Sequence, residues 1–331
     1  MIGGSDLPVL YTRERRLSVK SLITGVAGFI GSHLAERLLA AGHEVIGVDN
    51  FLDNYPRQFK EKNLADFAHR EKFRFVSENL LQMNLSHLLG DVTYVFHLAG
   101  QPGVRASWGK EFTRYTENNI MVTQLLLEAA KDVRLAKFVY SSTSSVYGDT
   151  DDLPMREEGL TRPVSPYGAS KLAAEHLCHL YWKAFAVPTV SLRFFTVYGP
   201  RQRPDMFFHL FMRALLRGDE VPLFDDGGQT RDFTYCQDIV DGVIAAAMYP
   251  GAGEVFNLGG GSEVGLLDAI ALAEKISGRQ AKLKPYDRQK GDVRHTNARI
   301  EQAKNKLGYS PKVGLEQGLA NQWNWICATQ D

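Results

Sequence analysis

The stretch Val19-Lys-Ser-Leu-Ile-Thr-Gly-Val-Ala-Gly-Phe-Ile-Gly31 decides the fold that this sequence predicts. A short apolar strand leads directly into a turn with three glycines, and a helical pattern follows from Ser32 to Ala41. This order is typical of a dinucleotide-binding βαβ unit, whose helix N-terminus offers unpaired N–H groups to phosphates. Gly25 permits the tight turn, Gly28 lets the backbone approach a pyrophosphate, and Gly31 lets the helix pack on the strand. A glycine turn in an ordinary βα unit is the alternative interpretation.

The second predicted strand, Glu44 to Val48, ends at Asp49, eighteen residues after Gly31. A carboxylate at this place accepts hydrogen bonds from both hydroxyls of an adenosine ribose and repels a 2′-phosphate. We therefore expect NAD rather than NADP as the cofactor. The alternative is that Asp49 is an ordinary surface-loop aspartate.

The rest of the first 198 residues repeats the alternation of apolar strands and helices. Further strands are predicted at 73–76, 94–99, 137–140 and 189–195. Continuous apolar strands separated by helices indicate a parallel sheet that is buried on both faces. The predicted fold class is therefore α/β, with a Rossmann-type doubly wound parallel sheet. After Gly199 the alternation ends, and short strands mixed with helices indicate a smaller mixed α/β lobe at the C-terminal end.

Three parts of the chain are distinguished on this basis. We expect a mobile N-terminal arm over residues 1–18, an NAD-binding Rossmann domain over residues 19–198, and a C-terminal lobe formed mainly by residues 199–331. Segments of the last two parts can interleave.

Composition excludes several classes of function. The chain has 331 residues with 38 Lys and Arg against 38 Asp and Glu, so no net field attracts nucleic acid or a membrane surface. Cys178, Cys236 and Cys327 form no Cys-x-x-Cys pair, which predicts reduced core cysteines and no metal site. There is no apolar run of ~18 residues and no secretory signal pattern. We expect a cytoplasmic protein without nucleic-acid or membrane partners.

The segment Tyr167-Gly-Ala-Ser-Lys171 places a phenol and an ammonium four residues apart. On a helix the two side chains share one face, one turn apart. A nearby cation favours the phenolate, although lowering the tyrosine pKa from ~10 to about 7 needs roughly 4 kcal/mol. With a hydroxyl from the run Ser141 to Ser145, such a pair can take a proton from an alcohol while a nicotinamide takes the hydride. The spacing alone is a weak signal, because chance produces it often.

Several motifs in the right order and spacing make the chain resemble the extended short-chain dehydrogenase/reductases, specifically the NAD-dependent nucleotide-sugar epimerases. They are Gly25-x-x-Gly28-x-x-Gly31, His97-Leu-Ala99, Ser142-Thr-Ser-Ser-Val-Tyr-Gly148 and Tyr167-x-x-x-Lys171. Phe194-Phe-Thr-Val-Tyr-Gly-Pro200, followed by Arg203-Pro-Asp-Met206, resembles the UDP-glucuronate 4-epimerase branch. The resemblance covers nearly everything after Lys20 and implies that the C-terminal lobe binds a nucleotide-sugar.

The resemblance implies three catalytic residues. Thr143 stands where the family keeps its catalytic Ser or Thr, 24 residues before Tyr167. Tyr167 would take the proton from the sugar 4-hydroxyl while Thr143 holds that oxygen. Lys171 would bind the nicotinamide ribose and lower the pKa of Tyr167. Hydride then passes from C4 to NAD and returns to the opposite face of a transient 4-keto sugar, so NAD is regenerated in each cycle.

The implied cofactor site includes Asn119, which matches an asparagine of the family. Asn79 replaces the family's usual aspartate for the adenine amino group, and its carbonyl can still accept that bond. Gly100 replaces the usual alanine. The implied cofactor-binding residues are Gly25, Gly28, Phe29, Ile30, Gly31, Asp49, Asn50, Asn79, Leu80, Leu98, Ala99, Gly100, Asn119, Ser141, Tyr167 and Lys171.

The substrate carboxylate is the subject of a separate hypothesis. A 4-keto uronic acid is a β-keto acid, which loses carbon dioxide when its carboxylate turns perpendicular to the ketone. We expect Ser144, Ser145 and Thr196 to bind the carboxylate by hydrogen bonds and to keep it out of the perpendicular orientation. Arg105 would add positive charge near the carboxylate. Charge-assisted bonds of ~1.5–3 kcal/mol each suffice to bias the rotamer. The alternative is that Ser144 and Ser145 only satisfy backbone groups at the strand end.

For the nucleotide, the resemblance places Phe224 on the uracil, Arg231 on the diphosphate and Asp292 on the ribose. Arg203 is expected as a second phosphate ligand. The alternatives are a core role for Phe224 and a salt bridge of Arg231 with Asp232 or Asp238. The sequence leaves open whether Arg288 or Arg294 also contacts the diphosphate.

The best single function is UDP-glucuronate 4-epimerase. UDP-glucose or UDP-N-acetylglucosamine 4-epimerase comes next, then a UDP-sugar decarboxylase or dehydratase, then a non-catalytic NAD-binding sensor. Elimination is disfavoured because Ser144 and Ser145 stand where those enzymes usually carry an acid. The family also implies a homodimer, formed through the helices predicted at Glu111–Lys131 and Tyr167–Ala186.

Overall fold

The computed structural model describes residues 19–329, so the predicted N-terminal arm over residues 1–18 lies outside the described residues. The strands are β1 (Lys20–Thr24), β2 (Glu44–Val48), β3 (Phe73–Val76), β4 (Tyr94–His97), β5 (Lys137–Thr143), β6 (Thr189–Phe194), β7 (Thr196–Tyr198), β8 (Glu220–Phe224), β9 (Thr230–Arg231), β10 (Phe233–Tyr235), β11 (Glu254–Leu258), β12 (Val264–Gly265) and β13 (Lys282–Tyr286). Seven of them form a parallel sheet of order β11-β6-β5-β4-β1-β2-β3. The predicted α/β fold with a doubly wound parallel sheet is confirmed.

Helices cover both faces of this sheet. The α-helices of the described residues, in the sheet domain and the smaller lobe together, are α1 (Phe29–Ala40), α2 (Arg57–Ala65), α3 (Leu85–Leu89), α4 (Phe112–Tyr115), α5 (Val122–Ala130), α6 (Pro166–Phe185), α7 (Phe207–Arg217), α8 (Cys236–Met248), α9 (Leu266–Ser277), α10 (Glu301–Leu307) and α11 (Leu315–Ala328). Neighbouring residues of a strand serve opposite faces, as the pleat requires. Ile23 packs in one hydrophobic cluster with residues of α1 and α8, and Leu22 in another with residues of α3, α5 and α6.

The order of the strands places a crevice at one edge of the sheet. β1 pairs with β2 on one side and with β4 on the other, so the connections leave β1 and β4 in opposite directions. Ligands of open α/β sheets bind outside the carboxyl ends of the strands at such a switch point. The turn after β1, the loop after β4 and the end of β5 therefore meet at one place.

The seventh strand comes from late in the chain. Residues 254–258 form β11, which lies parallel to β6 at the edge of the sheet, so the C-terminal part of the chain returns to the first domain. The remaining strands form short pairs: β10 with β7, which lies just before residue 199, β12 with β9, and β13 with β8. These pairs and helices α7, α9 and α11 form the smaller mixed lobe.

The helix predicted from Glu111 to Lys131 is interrupted. A π-helical segment, Thr116–Met121, separates α4 from α5. Such segments are common at functional sites. Here the π-helical segment contains Asn119, which is buried and hydrogen-bonds to Gln101 in the loop after β4.

Candidate active site

One cavity at the carboxyl ends of the strands collects most of the predicted site. All of the expected cofactor-binding residues line it, from Gly25 in the glycine turn to Lys171 on α6. The expected catalytic residue Thr143 and four expected substrate residues, Ser144, Ser145, Thr196 and Arg203, line it as well. The roles of these residues stay predictions, but the fold brings them to one place.

The glycine turn has the geometry that a pyrophosphate needs. Gly25 has φ +72°, a conformation that favours glycine, and a Cβ at Gly31 would lie 2.2 Å from the Gly25 carbonyl oxygen. Helix α1 begins at Phe29, directly after Gly28, with neither a side-chain cap nor an acidic residue in its first turn. Its first N–H groups are therefore left for an anion.

Asp49 lies at the end of β2 with its carboxylate held in place. Its Oδ2 accepts from the Ala27 N–H at 3.2 Å and its Oδ1 from the Phe51 N–H at 2.8 Å. Burial raises the pKa of Asp49, while Lys60 and these two N–H groups oppose the rise. The first bond holds the carboxylate against the glycine turn, and the second holds it to the segment after β2, at the place where the adenosine ribose of a dinucleotide lies.

Two residues that line the cavity have a buried side-chain oxygen that is not hydrogen-bonded in the described structure. These oxygens are Asn54 Oδ1 and Gln101 Oε1. Buried polar atoms are rarely left unpaired in native proteins. Together with the open helix N-terminus and Asp49, these acceptors fit a dinucleotide such as NAD.

Asn119 braces the loop after β4. Its Oδ1 accepts from the Gln101 N–H at 2.7 Å, and its Nδ2 donates to Gln101 O at 3.1 Å and to Ser170 Oγ at 2.8 Å. A Cβ at Gly100 would lie 2.9 Å from Asn119 Oδ1, which explains why glycine suits this position. Asn119 therefore joins the cavity loop to helix α6.

The phenol and ammonium pair lies at the start of α6. Ser165 caps this helix by accepting from the Gly168 N–H at 3.1 Å, and Pro166 opens it, so Tyr167 and Lys171 lie one turn apart. Burial raises the pKa of Tyr167, while a hydrogen bond with Thr143 and the charge of Arg203 oppose the rise. Arg203 is thus one cation that lowers the pKa of Tyr167, and the same role for Lys171 stays a prediction from the resemblance.

Lys171 is buried against an aromatic ring. Its Nζ lies 4.4 Å from the centroid of the Tyr140 ring, and burial lowers its pKa to about 7, with Cys178 and Glu175 opposing. A cation over a ring face gains electrostatic attraction. The ammonium is therefore poorly solvated and is left for a polar ligand such as a ribose.

Hydroxyl groups surround the place where a substrate would react. Thr143 Oγ1 accepts from the Ser145 N–H at 3.2 Å and lies 3.3 Å from Ser145 Oγ. Thr143, Ser144, Ser145 and Thr196 all face the cavity that also contains Tyr167. Arg203 joins them, and its guanidinium binds Asp205 through two hydrogen bonds of 3.0 and 2.8 Å.

The other expected substrate residues form a separate cluster. The guanidinium of Arg105 lies 3.9 Å from the centroid of the Phe224 ring and donates to Asp292 Oδ2 at 2.7 Å. Arg231 donates to the main-chain oxygens of Thr230, Val293 and Arg294 at 2.7–2.9 Å. These four residues are brought together, but they do not line the cavity that holds Tyr167.

The two arginines that the sequence leaves open face acidic residues. Arg288 binds Asp149 at 2.9 Å, and Arg294 binds Asp226 at 2.8 Å. These pairs connect the loop after β13 to the loop that follows β5 and to the turn after β8.

His97 is buried between Thr24 and Thr123, and burial lowers its pKa to about 3, so it is a neutral packed histidine rather than a base.

Some residues of the cavity have no signal in the sequence. Asn54, Tyr55, Lys60 and Gln101 all line it. Helix α2 contains several basic residues that the sequence does not distinguish, and only the fold shows that Lys60 is buried. Within residues 19–329 no group of His, Cys, Asp and Glu could hold a metal ion, and no helix is long and apolar enough to cross a membrane.

Comparison with known proteins gives a consistent result. The family model described as NAD dependent epimerase/dehydratase family matches residues 21–259. An uncharacterized UDP-glucose epimerase of Bacillus subtilis, YtcB, is 46% identical over 306 residues, which cover 92% of this chain and 96% of the relative. A UDP-glucuronate 4-epimerase of Thermodesulfobacterium geofontis is 37% identical over 309 residues, covering 92% of this chain and 95% of the relative.

A solved structure is similar over nearly the whole chain. It is the UDP-glucuronic acid 4-epimerase of Bacillus cereus in complex with UDP-glucuronic acid and NAD, with a TM-score of 0.91 and 46% identity. The match covers 94% of this chain and 99% of that chain.

Proposed function

The chain belongs to the NAD dependent epimerase/dehydratase family, and on that premise we propose that it is an NAD-dependent 4-epimerase whose substrate is UDP-glucuronate. The observation that carries the proposal is the composition of one cavity. It combines a half-buried Tyr167 beside Thr143 with Ser144, Ser145 and Thr196, and two serines rather than an acid follow the threonine in the chain. An acid at that place would favour elimination, whereas hydroxyls hold a sugar without protonating a leaving group.

When NAD is bound, it supplies a reversible hydride acceptor for C4, so that a transient 4-keto sugar can form and be reduced on either face. Tyr167 takes the proton of the 4-hydroxyl and later returns it. Thr143 binds the same oxygen and supports the phenolate by its hydrogen bond. Lys171, which is buried near Tyr167, binds the nicotinamide ribose, and Arg203 lowers the pKa of Tyr167.

The substrate carboxylate decides whether the sugar is epimerised or broken. Ser144, Ser145 and Thr196 hydrogen-bond this group and keep it near the plane of the ketone, where carbon dioxide is not lost. Their position on the same wall as Thr143 supports this role. Replacing Thr196 by Ala should then raise the share of carbon dioxide released per epimerised UDP-glucuronate; no rise counts against the role.

The nucleotide half binds at the Arg105–Phe224–Asp292 cluster. The uracil packs on Phe224, the ribose binds Asp292, and Arg231 contacts the diphosphate. Arg105, predicted to add charge at the substrate carboxylate, lies in this cluster instead and takes the place at the diphosphate that was predicted for Arg203. Arg105 must leave the ring of Phe224 for the base to enter, because its guanidinium covers that ring at 3.9 Å.

The chain forms a homodimer through α5 and α6, and it acts in the cytoplasm. Exposed apolar residues support an interface there: Leu180 and Phe185 of α6 are 54% and 52% exposed, and Met121, the last residue of the π-helical segment before α5, is 51% exposed. The buried free thiols Cys178 and Cys236 agree with a reducing compartment. Sedimentation at micromolar concentration tests the dimer, and a monomer would remove it.

Turnover of a panel of UDP-sugars tests the proposed activity. We expect conversion of UDP-glucuronate to its 4-epimer without net change in NADH absorbance, and a turnover at least about 10²-fold lower with Tyr167→Phe. The second candidate is UDP-glucose 4-epimerase, which the Bacillus subtilis relative favours by its name. Faster turnover of UDP-glucose than of UDP-glucuronate would replace the first candidate by the second, and no turnover of any UDP-hexose would overturn both.

A further inference from the structure

A buried lysine lies beside the carboxylate that faces the adenosine ribose. Lys60 Nζ is 4.0 Å from Asp49 Oδ1, and the two side chains are only 6% and 8% exposed. Lys60 also donates to the Leu52 carbonyl at 2.8 Å, and its Nζ lies 4.8 Å from the centroid of the Tyr55 ring. All four residues line the cavity, so the ammonium belongs to the wall of the dinucleotide site.

Helix α2 holds this lysine in place. Asn63, one turn after Lys60, is buried and donates to the Ala27 carbonyl in the glycine turn at 3.0 Å. Asp49 binds the N–H of the same Ala27 at 3.2 Å. One face of α2 is therefore fastened to both parts of the predicted cofactor site, the glycine turn and the ribose carboxylate.

The other cations of the region are directed elsewhere. The Arg57 guanidinium lies 4.4 Å from the centroid of the Phe51 ring and binds Glu61, and both members of that pair are mostly exposed. Lys171 lies against Tyr140 at the end of the cavity that holds Tyr167, and Arg203 binds Asp205 while its charge also acts on Lys60. Lys60 is thus the cation in direct contact with Asp49.

We propose that Lys60 is a further residue of the dinucleotide site and that Lys60 and Asp49 together set the choice between NAD and NADP. Asp49 excludes a 2′-phosphate by its charge, and it also neutralises Lys60. Without that carboxylate, Lys60 becomes an unpaired buried ammonium next to the 2′ position. Lysine binds phosphate as a point charge, so the site then accepts NADP.

The inference rests on the dinucleotide site of the proposed function and adds a second specificity residue to it. Asp49→Asn is the first variant, because the amide keeps the size and retains one oxygen, which can still accept from one of the two N–H groups of Ala27 and Phe51. Asp49→Asn with Lys60→Gln removes the cation but keeps a donor for the Leu52 carbonyl. Asp49→Asn with Lys62→Met is the matched control, since Lys62 is an exposed lysine of the same helix.

Each purified holoenzyme is incubated with NAD and NADP at equal concentrations, both in excess over the protein, so that the bound dinucleotide exchanges. Unbound nucleotide is then removed and the protein is denatured. The released dinucleotides are then quantified by chromatography. We expect the bound NADP-to-NAD ratio to rise at least about tenfold in Asp49→Asn and to fall back by about tenfold with Lys60→Gln, as for the loss of one charge-assisted hydrogen bond. The Lys62→Met control should keep the whole rise.

Equal ratios in Asp49→Asn with and without Lys60→Gln would overturn the inference, as would no rise in Asp49→Asn. Lys60→Arg in the Asp49→Asn background keeps the charge and should keep the rise, and it replaces the glutamine variant as the deciding comparison if that variant fails to melt cooperatively. A wild-type protein that binds no dinucleotide would overturn the proposed function as well. Retained NAD without the NADP gain overturns this inference alone.

Discussion

The proposed substrate site has two ends that differ in what their polar side chains contact. At the Tyr167 end the polar side chains line a common cavity, whereas at the Phe224 end they bind one another. Thr143, Tyr167 and Lys171 are positioned by the cap of α6 and the end of β5, both of which are buried. At the other end Arg105 covers Phe224 and binds Asp292. The first end is preorganised for a ligand, and the second must exchange internal contacts for it.

The magnitudes show that this exchange is cheap. Arg105 is 46% exposed in its ion pair with Asp292, and exposed pairs are worth only about 0–1 kcal/mol. A cation over an exposed ring adds about 0.5–1 kcal/mol. Stacking of a base on an aromatic ring gains about 1–3 kcal/mol, so a uracil can displace the guanidinium. The comparison predicts chemical defects from changes at the first end and binding defects from changes at the second.

The largest effect is expected from Tyr167→Phe. Removing the phenolic oxygen removes the proton acceptor, and general acid–base catalysis contributes about 10²–10⁴-fold. Steady-state turnover of UDP-glucuronate should fall by that factor while NAD stays bound. Tyr115→Phe is the matched control, because its ring lies 6.2 Å from that of Tyr167 and its hydroxyl donates to the carbonyls of Pro102 and Gly103, with a further side-chain contact to Gln101. Equal losses in both variants would contradict the role of Tyr167.

The second effect concerns the cofactor. In Gly31→Ala the new Cβ would lie 2.2 Å from Gly25 O, so the turn must move and the bound NAD should be largely lost. Gly314→Ala is the control, since Gly314 has φ −66° and no atom within 4 Å of the added carbon. The dinucleotide released on denaturation measures the difference. Full retention of NAD in Gly31→Ala would show that the glycine turn does not hold the pyrophosphate.

The first end of the cleft was predictable from the sequence because its determinants are local. The glycines from Gly25 to Gly31 occupy one turn, Asp49 follows its own strand, and Tyr167 and Lys171 share one helix. Each of these motifs acts through backbone geometry over a few residues, so its spacing is visible in the chain. The order of the motifs then predicts a doubly wound sheet.

The second end and the edges of the fold depend on long-range contacts. Arg105 and Asp292 are separated by 187 residues, and no pattern in either segment shows that they meet. Strand β11 is a five-residue segment with Glu254 and Asn257 among its residues, it lies far from β6 in the chain, and only packing assigns it to the sheet. Lys60 resembles the other cations of α2 until the fold buries it against Asp49.

The third effect tests the second end. Phe224→Leu removes the flat surface for the base, and losing about 1–2 kcal/mol of stacking raises the KM for UDP-glucuronate roughly tenfold with little change in kcat. Tyr286→Leu is the control, because its ring is the neighbour of Phe224 at 5.8 Å and the residue is 47% exposed. A lower kcat at unchanged KM would place Phe224 at the chemical end and remove the distinction between the two ends.

The smallest effect measures the stability cost of preorganising the first end. Burial lowers the pKa of Lys171 from 10.5 to about 7, so the folded protein holds this group charged only below that pH. The unfolded chain keeps its proton up to 10.5, and the free energy of unfolding therefore rises with pH between the two values.

Lys171→Met has no such group, so with cofactor removed it should melt above the wild type at about pH 6 by a few degrees, and the gap should narrow towards pH 9. The narrowing is the diagnostic feature, because a packing effect of methionine would not depend on pH. Lys183→Met, at an exposed position of the same helix, controls for the loss of a lysine. A gap that is constant from about pH 6 to 9 would mean that the ammonium is solvated in the free protein. The Tyr167 end would then carry no electrostatic strain, and it would differ from the Phe224 end only in which side chains face the cavity.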